Sequence, residues 1–494
     1  MIKKLIFTAL LPFTFVLEGA FVMKKGQPLQ KVETTVQEET TSTNTQTFNP
    51  SSLSQYNYSP RALPPKNEWY DVTQKENILC NGSHDDTAGF QALIEDTSVT
   101  NWYIAPNKVC KFFNIDVKSH LKTVFGGGKI IVKGNTMPYD GGGSHTGVFL
   151  MESDINGFLI DNIDFEVDKE GWGTINLWPN NGIIHLGGIY NNKNIEIRNC
   201  NVDLTRYPMN FIKGYVNQKN GNKLSNVVIV NNTIKGFKQF AIEILGGSAN
   251  RTFTKRPAES IKILRNKFIG HSNSSLRRCI SIPFLFFGKG LDGLKNGKEA
   301  YISENWFIDV EWGMETTGSS GIYVNNNLFT GKSMQAWHDV PERYITGNGT
   351  YRNYYFHNVI MPNPTAILRK GYNGSHLEVG AGSEIYENYI GTAILINKHN
   401  EVLESTVKGL NVHDNIFSVE EANGIKIGKA VTFKNYPAHL STFRNNKFYM
   451  SPTGTGLFNK TSSSFNNNIL LDTKPQVPSN WGLTGSKLKI GTQE

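Results

Sequence analysis

Gly321-Ile322-Tyr323-Val324-Asn325-Asn326-Asn327-Leu328-Phe329, GIYVNNNLF, alternates apolar residues as a strand does and then stops at three asparagines. Asparagine is depleted from strands, so the run marks either a turn or a polar site. The motif recurs as IVNNTI, LRNKF, SENWF, FHNVI, YENYI, HDNIF, RNNKF and FNNNIL, each with an asparagine two residues before an apolar one. Aligned on that residue, the series is Asn232, Asn266, Asn305, Asn327, Asn358, Asn388, Asn415, Asn446 and Asn468. The shortest spacing is 22 residues, and the longer ones read as 22 plus an insertion. A second marker keeps step with the first. Short apolar strands, mostly opened by a small residue, begin at Met209, Ala241, Cys279, Gly313, Ala336, Ala366, Ala393, Gly424 and Gly456.

A unit of this length cannot bury its own apolar face and must stack on its neighbours. The pattern therefore predicts a parallel β-solenoid in which successive coils lie about 4.8 Å apart. An asparagine repeated at one corner passes amide hydrogen bonds along the stack and tolerates a turn's backbone angles. On this reading the asparagines are structural, and Phe268, Trp306, Phe307, Phe329, Phe417 and Phe448 stack in the core beside them.

Composition agrees. Charged residues make up 19% and there are 47 glycines, which suits an all-β repeat protein better than a helical one. The formal charge is +8, yet no Lys/Arg run is dense enough to track a phosphate backbone, so nucleic acid is excluded as a partner. Residues 1–25 combine Met1-Ile2-Lys3-Lys4 with a short apolar run, as a signal or anchor segment does, although Glu18 occupies the cleavage region and Met23 offers another start. Residues 26–66 are rich in Ser, Thr, Gln, Asn and Pro and are predicted to be a flexible linker. Residues 67–140 make an N-terminal cap and the first coils, 141–472 the solenoid and 473–494 a tail. Within the cap, Asp86-Thr87 through Ile94 reads as a short helix with Phe90, Leu93 and Ile94 on one face. Cys80, Cys110, Cys200 and Cys279 lack zinc spacing. A Cys80–Cys110 disulfide in an exported chain and free buried thiols both stay open.

GSHDDTAGFQALIED followed by WYIAPNKVCKFFNIDV resembles the opening of the pectate-lyase-like superfamily, in which an Asp-Asp-Thr turn and a capping helix precede a right-handed parallel β-helix. His84 and Asn107-Lys108 depart from that pattern. The resemblance implies the fold class all-β, a right-handed parallel β-helix with a short N-terminal capping helix. It is closest in pattern to bacteriophage tailspike depolymerases. It implies a polysaccharide substrate, a possible homotrimer, and attachment to a phage tail or cell surface through the N-terminal region. The polygalacturonase and alginate-epimerase signatures are absent, so no catalytic residue carries over.

The strand marker supplies candidates instead. If the third residue of each short strand faces out, the column reads Glu243, Ser281, Glu315, His338, Leu368 and Leu395. Glu243 and Glu315 would lie two coils apart, about 9.5 Å. Inverting glycosidases hold their acid and base about 6.5–9.5 Å apart, so the pair fits inverting hydrolysis. His338 would bind sugar or tune the acid. A one-residue slip in AWHD would face Trp337 and Asp339 outward, and the same slip in AILR would expose Arg369. Asp309 and Glu311 compete. Insertions at 247–259 and 287–298 would wall a groove.

Hydrolysis requires no cofactor. The enzymatic alternative is a lyase on uronic-acid polymers, with His338, Arg369, Lys370 and Tyr372 supplying base and cations and Ca2+ held by Asp164, Glu166 and Asp168. The non-enzymatic alternative is a surface adhesin or exopolysaccharide assembly factor. Each of these readings places the protein outside the cell, either secreted or on a virion.

Overall fold

In the computed structural model, most coils run through three strands, and each strand pairs in parallel with its counterpart one coil away. The structure describes residues 50–134, 147–168, 182–187, 190–207, 209–216, 224–237, 240–246, 256–271, 278–283, 285–287, 297–310, 312–316, 318–330, 335–339, 352–361, 375–379, 382–391, 393–397, 409–419, 429–450 and 456–483. Strands 335–339, 375–379 and 393–397 are described by their backbone alone. Three parallel sheets result: sheet A of 14 strands, sheet B of 13 and sheet C of 11. One coil shows the path, from Ile322–Asn325 in sheet A through Leu328–Thr330 in sheet B to Gln335–Asp339 in sheet C. The fold is a right-handed parallel β-helix.

The three asparagines of GIYVNNNLF do three different jobs. Asn325 ends the sheet A strand and accepts from the Ser303 hydroxyl. Asn326 turns the corner with φ 55°, a left-handed conformation that asparagine tolerates better than most residues. Asn327 is the rung. Its Nδ2 donates to Asn358 Oδ1 at 2.9 Å and to Ile302 O at 2.8 Å, while its Oδ1 accepts from the backbone and side-chain nitrogens of Asn305 at 2.9 and 3.0 Å. The same bonds join every neighbouring pair from Asn232 to Asn468. The residue before each rung is always left-handed, including Arg265, Glu304, His357 and Glu387, so the corner demands the backbone angle and the rung demands the amide.

Phe268, Phe307 and Phe329 stack inside with centroids 5.2 and 4.4 Å apart, and Phe417 stacks on Phe448 at 4.7 Å. Each buried phenylalanine contributes about 1.5–3 kcal/mol. Trp306 departs from the expected core series. It is half-buried on the outer side of sheet B, under the Lys267 ammonium, and donates to Thr330.

The helix Thr87–Ile94 buries Phe90, Leu93 and Ile94 against the first coils, with Phe90 stacked on Phe112 at 4.0 Å. Cys80 and Cys110 form a disulfide, and the buried Asp86 carboxylate accepts from the backbone of Leu79, Cys80 and Lys111. Residues 50–66 depart from the flexible linker expected of them. They run along the outside of sheet A, where Tyr58 donates to Glu196 at 2.6 Å and Tyr56 to Glu304 at 3.2 Å, each carboxylate also being paired with an arginine. Together with the buried Leu53 and the Asn57 and Arg61 carbonyls, which accept from Lys262 and Arg198, the two tyrosines hold a stretch whose composition reads as disordered. After Asp472 the chain folds back along sheet B, where Trp481 stacks on His357 and Leu483 packs with Leu328, Val359 and Tyr389. Among the described residues no helix is long and apolar enough to cross a membrane.

Candidate functional site

Register on sheet C sets Leu150, His185, Lys213, Glu243, Ser281, Glu315, His338, Glu378, Leu395 and Thr432 in one row, each the partner of the next. Ile242 and Ile244, on either side of Glu243, are core residues, so Glu243 faces out of the solenoid between them. An outward row normally meets solvent. Here His185, Lys213, Glu243 and Ser281 are all buried and Glu315 is half-buried.

Polar groups at such depth need partners, and Lys213, Glu243, Ser281 and Glu315 find them in one another and in Asn210. Lys213 Nζ makes a close ion pair with Glu243 Oε2, which also accepts from Asn210 Nδ2 at 3.0 Å. The Tyr215 ring lies 5.1 Å from the same ammonium. One coil further, Ser281 Oγ donates to Glu315 Oε2 at 2.9 Å. Glu243 and Glu315 thus flank Ser281, with strands about 9.5 Å apart. One carboxylate has a fixed cation beside it, whereas the other has a hydroxyl and greater access to solvent.

The strand Gln335–Asp339 carries three predicted residues. Its register keeps His338 in the Glu315 row, sets Trp337 in the row of Met314, and pairs Asp339 with Val379. Leu368 is replaced in the row. The sheet C strand of that coil is Ser375–Val379, so Glu378 stands between His338 and Leu395. AILR fits the strand template earlier in the chain, and in SHLEV the third-residue rule points to Leu377, one position before the residue that joins the row. Arg369, Lys370 and Tyr372 lie outside the described residues, as do Glu311 and most of both expected groove insertions. Asp309 occupies a left-handed corner at φ 53° and is not in the row. Lys213 and His185 were missed because the third-residue rule points to Phe211 in one strand and has no asparagine marker for the other.

The carboxylates considered for calcium are committed elsewhere. Glu166 pairs with Lys129 and Arg206, Asp168 with Lys111 at 2.6 Å, and Asp164 accepts from Asn201 at 2.9 Å. Among the described residues, the group of possible metal ligands formed by Cys80, Asp86 and Cys110 has both its sulfurs in the disulfide. Cys279, beside the row, points into the core, and burial pushes its thiol well above the ordinary value.

No family model matches the sequence, and no curated protein matches it. Solved structures do. The tailspike protein of E. coli bacteriophage HK620, a mutant in complex with a pentasaccharide, is similar at TM-score 0.50 and 10% identity, over 82% of this chain and 65% of the tailspike chain. The present chain thus spans just under two thirds of that protein. The catalytic unit of a GH87 α-1,3-glucanase from Streptomyces thermodiastaticus strain HF3-3 matches at TM-score 0.46 and 15% identity, over 83% and 71% of the two chains. The Streptococcus pneumoniae surface adhesin PfbA matches at TM-score 0.38 and 13% identity, over 81% and 97%. The class of protein is set by the tailspike likeness and the three parallel sheets: a right-handed parallel β-helix.

Proposed function

We propose that the protein is an extracellular polysaccharide depolymerase that hydrolyses glycosidic bonds over sheet C with inversion at the anomeric carbon. The observation that carries this is the row in which Glu243 and Glu315 flank Ser281 two coils apart. Glu315, the more accessible carboxyl, protonates the leaving glycosidic oxygen. Glu243 takes a proton from water as that water attacks the anomeric carbon from the opposite face. Lys213 and Asn210 both converge on Glu243 Oε2, which leaves Oε1 to meet the water. The spacing suits an acid and a base with a water between them, whereas a nucleophile mechanism needs about 5–5.5 Å. By backbone register, His338 and Glu378 continue the row beyond the cleaved bond.

The tailspike likeness supports a surface glycan of bacteria, capsule or O-antigen, as substrate, because that protein was solved with a pentasaccharide bound. It also supports a virion as one possible location, with secretion as the other, and a homotrimer belongs to the same proposal. Incubation with a panel of capsular and O-antigen polysaccharides tests the reading. New reducing ends without absorbance from unsaturated uronates are expected. That absorbance would replace hydrolysis with elimination, and no product across the panel would overturn the enzymatic reading in favour of an adhesin.

A further inference from the structure

The two carboxylates of the row sit in matching nests whose cations are exchanged. Glu243 has a donor at the row position one coil before it, Lys213, and a second donor three residues earlier in that strand, Asn210. Glu315 has Ser281 at the first of these places, and the residue three positions before Ser281 is Arg278. Among the described residues the hydrogen-bond donor to Glu315 is Ser281, and Arg278 is held differently. Its guanidinium lies 4.0 Å from the ring centroid of Trp312 and 5.7 Å from that of Phe240. Those rings stand three residues before Glu315 and Glu243, so a cation is clamped by aromatic groups from the coils of both carboxylates. The coil of Arg278 is the one over which the cleaved bond would lie. Arg278 and Trp312 are half-buried and Phe240 is buried.

A guanidinium set over aromatic rings keeps its five N–H donors, so it can hold a protein partner and still offer a pair to a ligand. The fork matches a carboxylate or another oxyanion bidentately, and fixing it beforehand lowers the ordering cost of binding. Glu243 and Glu315 alone would repel such a group, so the cation decides whether an acidic sugar is accepted. We propose that Arg278 receives the acidic group of the sugar bound over Ser281, and that the substrate is therefore an anionic polysaccharide. This rests on the hydrolytic reading for the place of the sugar, but not for the binding itself.

The test is binding of the full chain to uronic-acid-containing bacterial polysaccharides and to the same polymers after chemical reduction of their carboxyl groups, in low and high salt. Carboxyl reduction is expected to weaken binding about tenfold or more, as loss of a charge-assisted pair should. Arg278→Gln should abolish that preference and Arg278→Lys should restore part of it, with melting temperature as the folding control. Equal binding of native and reduced polymers, or binding of neutral polymers alone, overturns the proposal even if the variants fail to fold, and so does failure to bind any acidic polymer. Binding of acidic polymers without cleavage would overturn the hydrolytic reading and leave this one standing. Cleavage of a neutral polymer with Arg278→Gln unaffected would do the reverse.

Discussion

Two polar columns run along the same solenoid, and they are built in opposite ways. At the corner between sheets A and B the same residue recurs from Asn232 to Asn468, and each amide is satisfied by the next. On sheet C the row changes residue at every coil, from His185 through Lys213, Glu243, Ser281 and Glu315 to His338 and Glu378. A translated hydrogen bond needs identical partners, so a stabilising column must repeat. Chemistry needs an acid, a base and a cation at different places, so a reactive column must not. In a repeat protein, the place where the repeat is broken by titratable groups is therefore where activity is to be sought.

The comparison can be broken at several points. The largest effect is expected at Glu243: Glu243→Gln should lower turnover of the cleaved polysaccharide by about 10²–10⁴-fold, measured as reducing ends released per unit time. Unchanged turnover would remove Glu243 from the chemistry and leave it a structural ion-pair member. Lys213→Met leaves a buried carboxylate without its cation, and thermal or urea unfolding should show a loss of about 3–5 kcal/mol. A smaller loss would mean that the row tolerates an unpaired charge. Asn327→Ala strips partners from Asn305 and Asn358 and should cost about 2–4 kcal/mol in unfolding free energy with turnover kept. Asn468→Ala, at the end of the ladder, should cost less, and equal losses would argue against a cooperative ladder. Tyr58→Phe removes one of the donors to Glu196 and should cost about 1 kcal/mol, which compares residues 50–66 with the ladder as a source of stability.

The ladder was legible in the sequence because its physics forces repetition: Asn327 can only be a rung if Asn305 and Asn358 are asparagines too. The row was legible only where the asparagine marker carried the register across. Glu243, Glu315 and His338 were placed that way. Glu378 was not, since AILR satisfies the strand template earlier in the chain and the third residue of SHLEV is Leu377, so only pairing brings Glu378 into the row. Lys213 escaped because its strand is longer than the template, so a fixed offset from Met209 pointed to Phe211. Residues 50–66 were misread for another reason. Composition averages over a window, while their order rests on a few specific contacts with distant coils, Tyr58 and Tyr56 on Glu196 and Glu304 and the Arg61 and Asn57 carbonyls on Arg198 and Lys262.

The most direct test sets Glu315→Gln beside Asn327→Ala and measures turnover and unfolding free energy for both. A crossed result is expected, in which Glu315→Gln loses activity and keeps the wild-type stability while Asn327→Ala loses stability and keeps activity. Full activity in Glu315→Gln would contradict it.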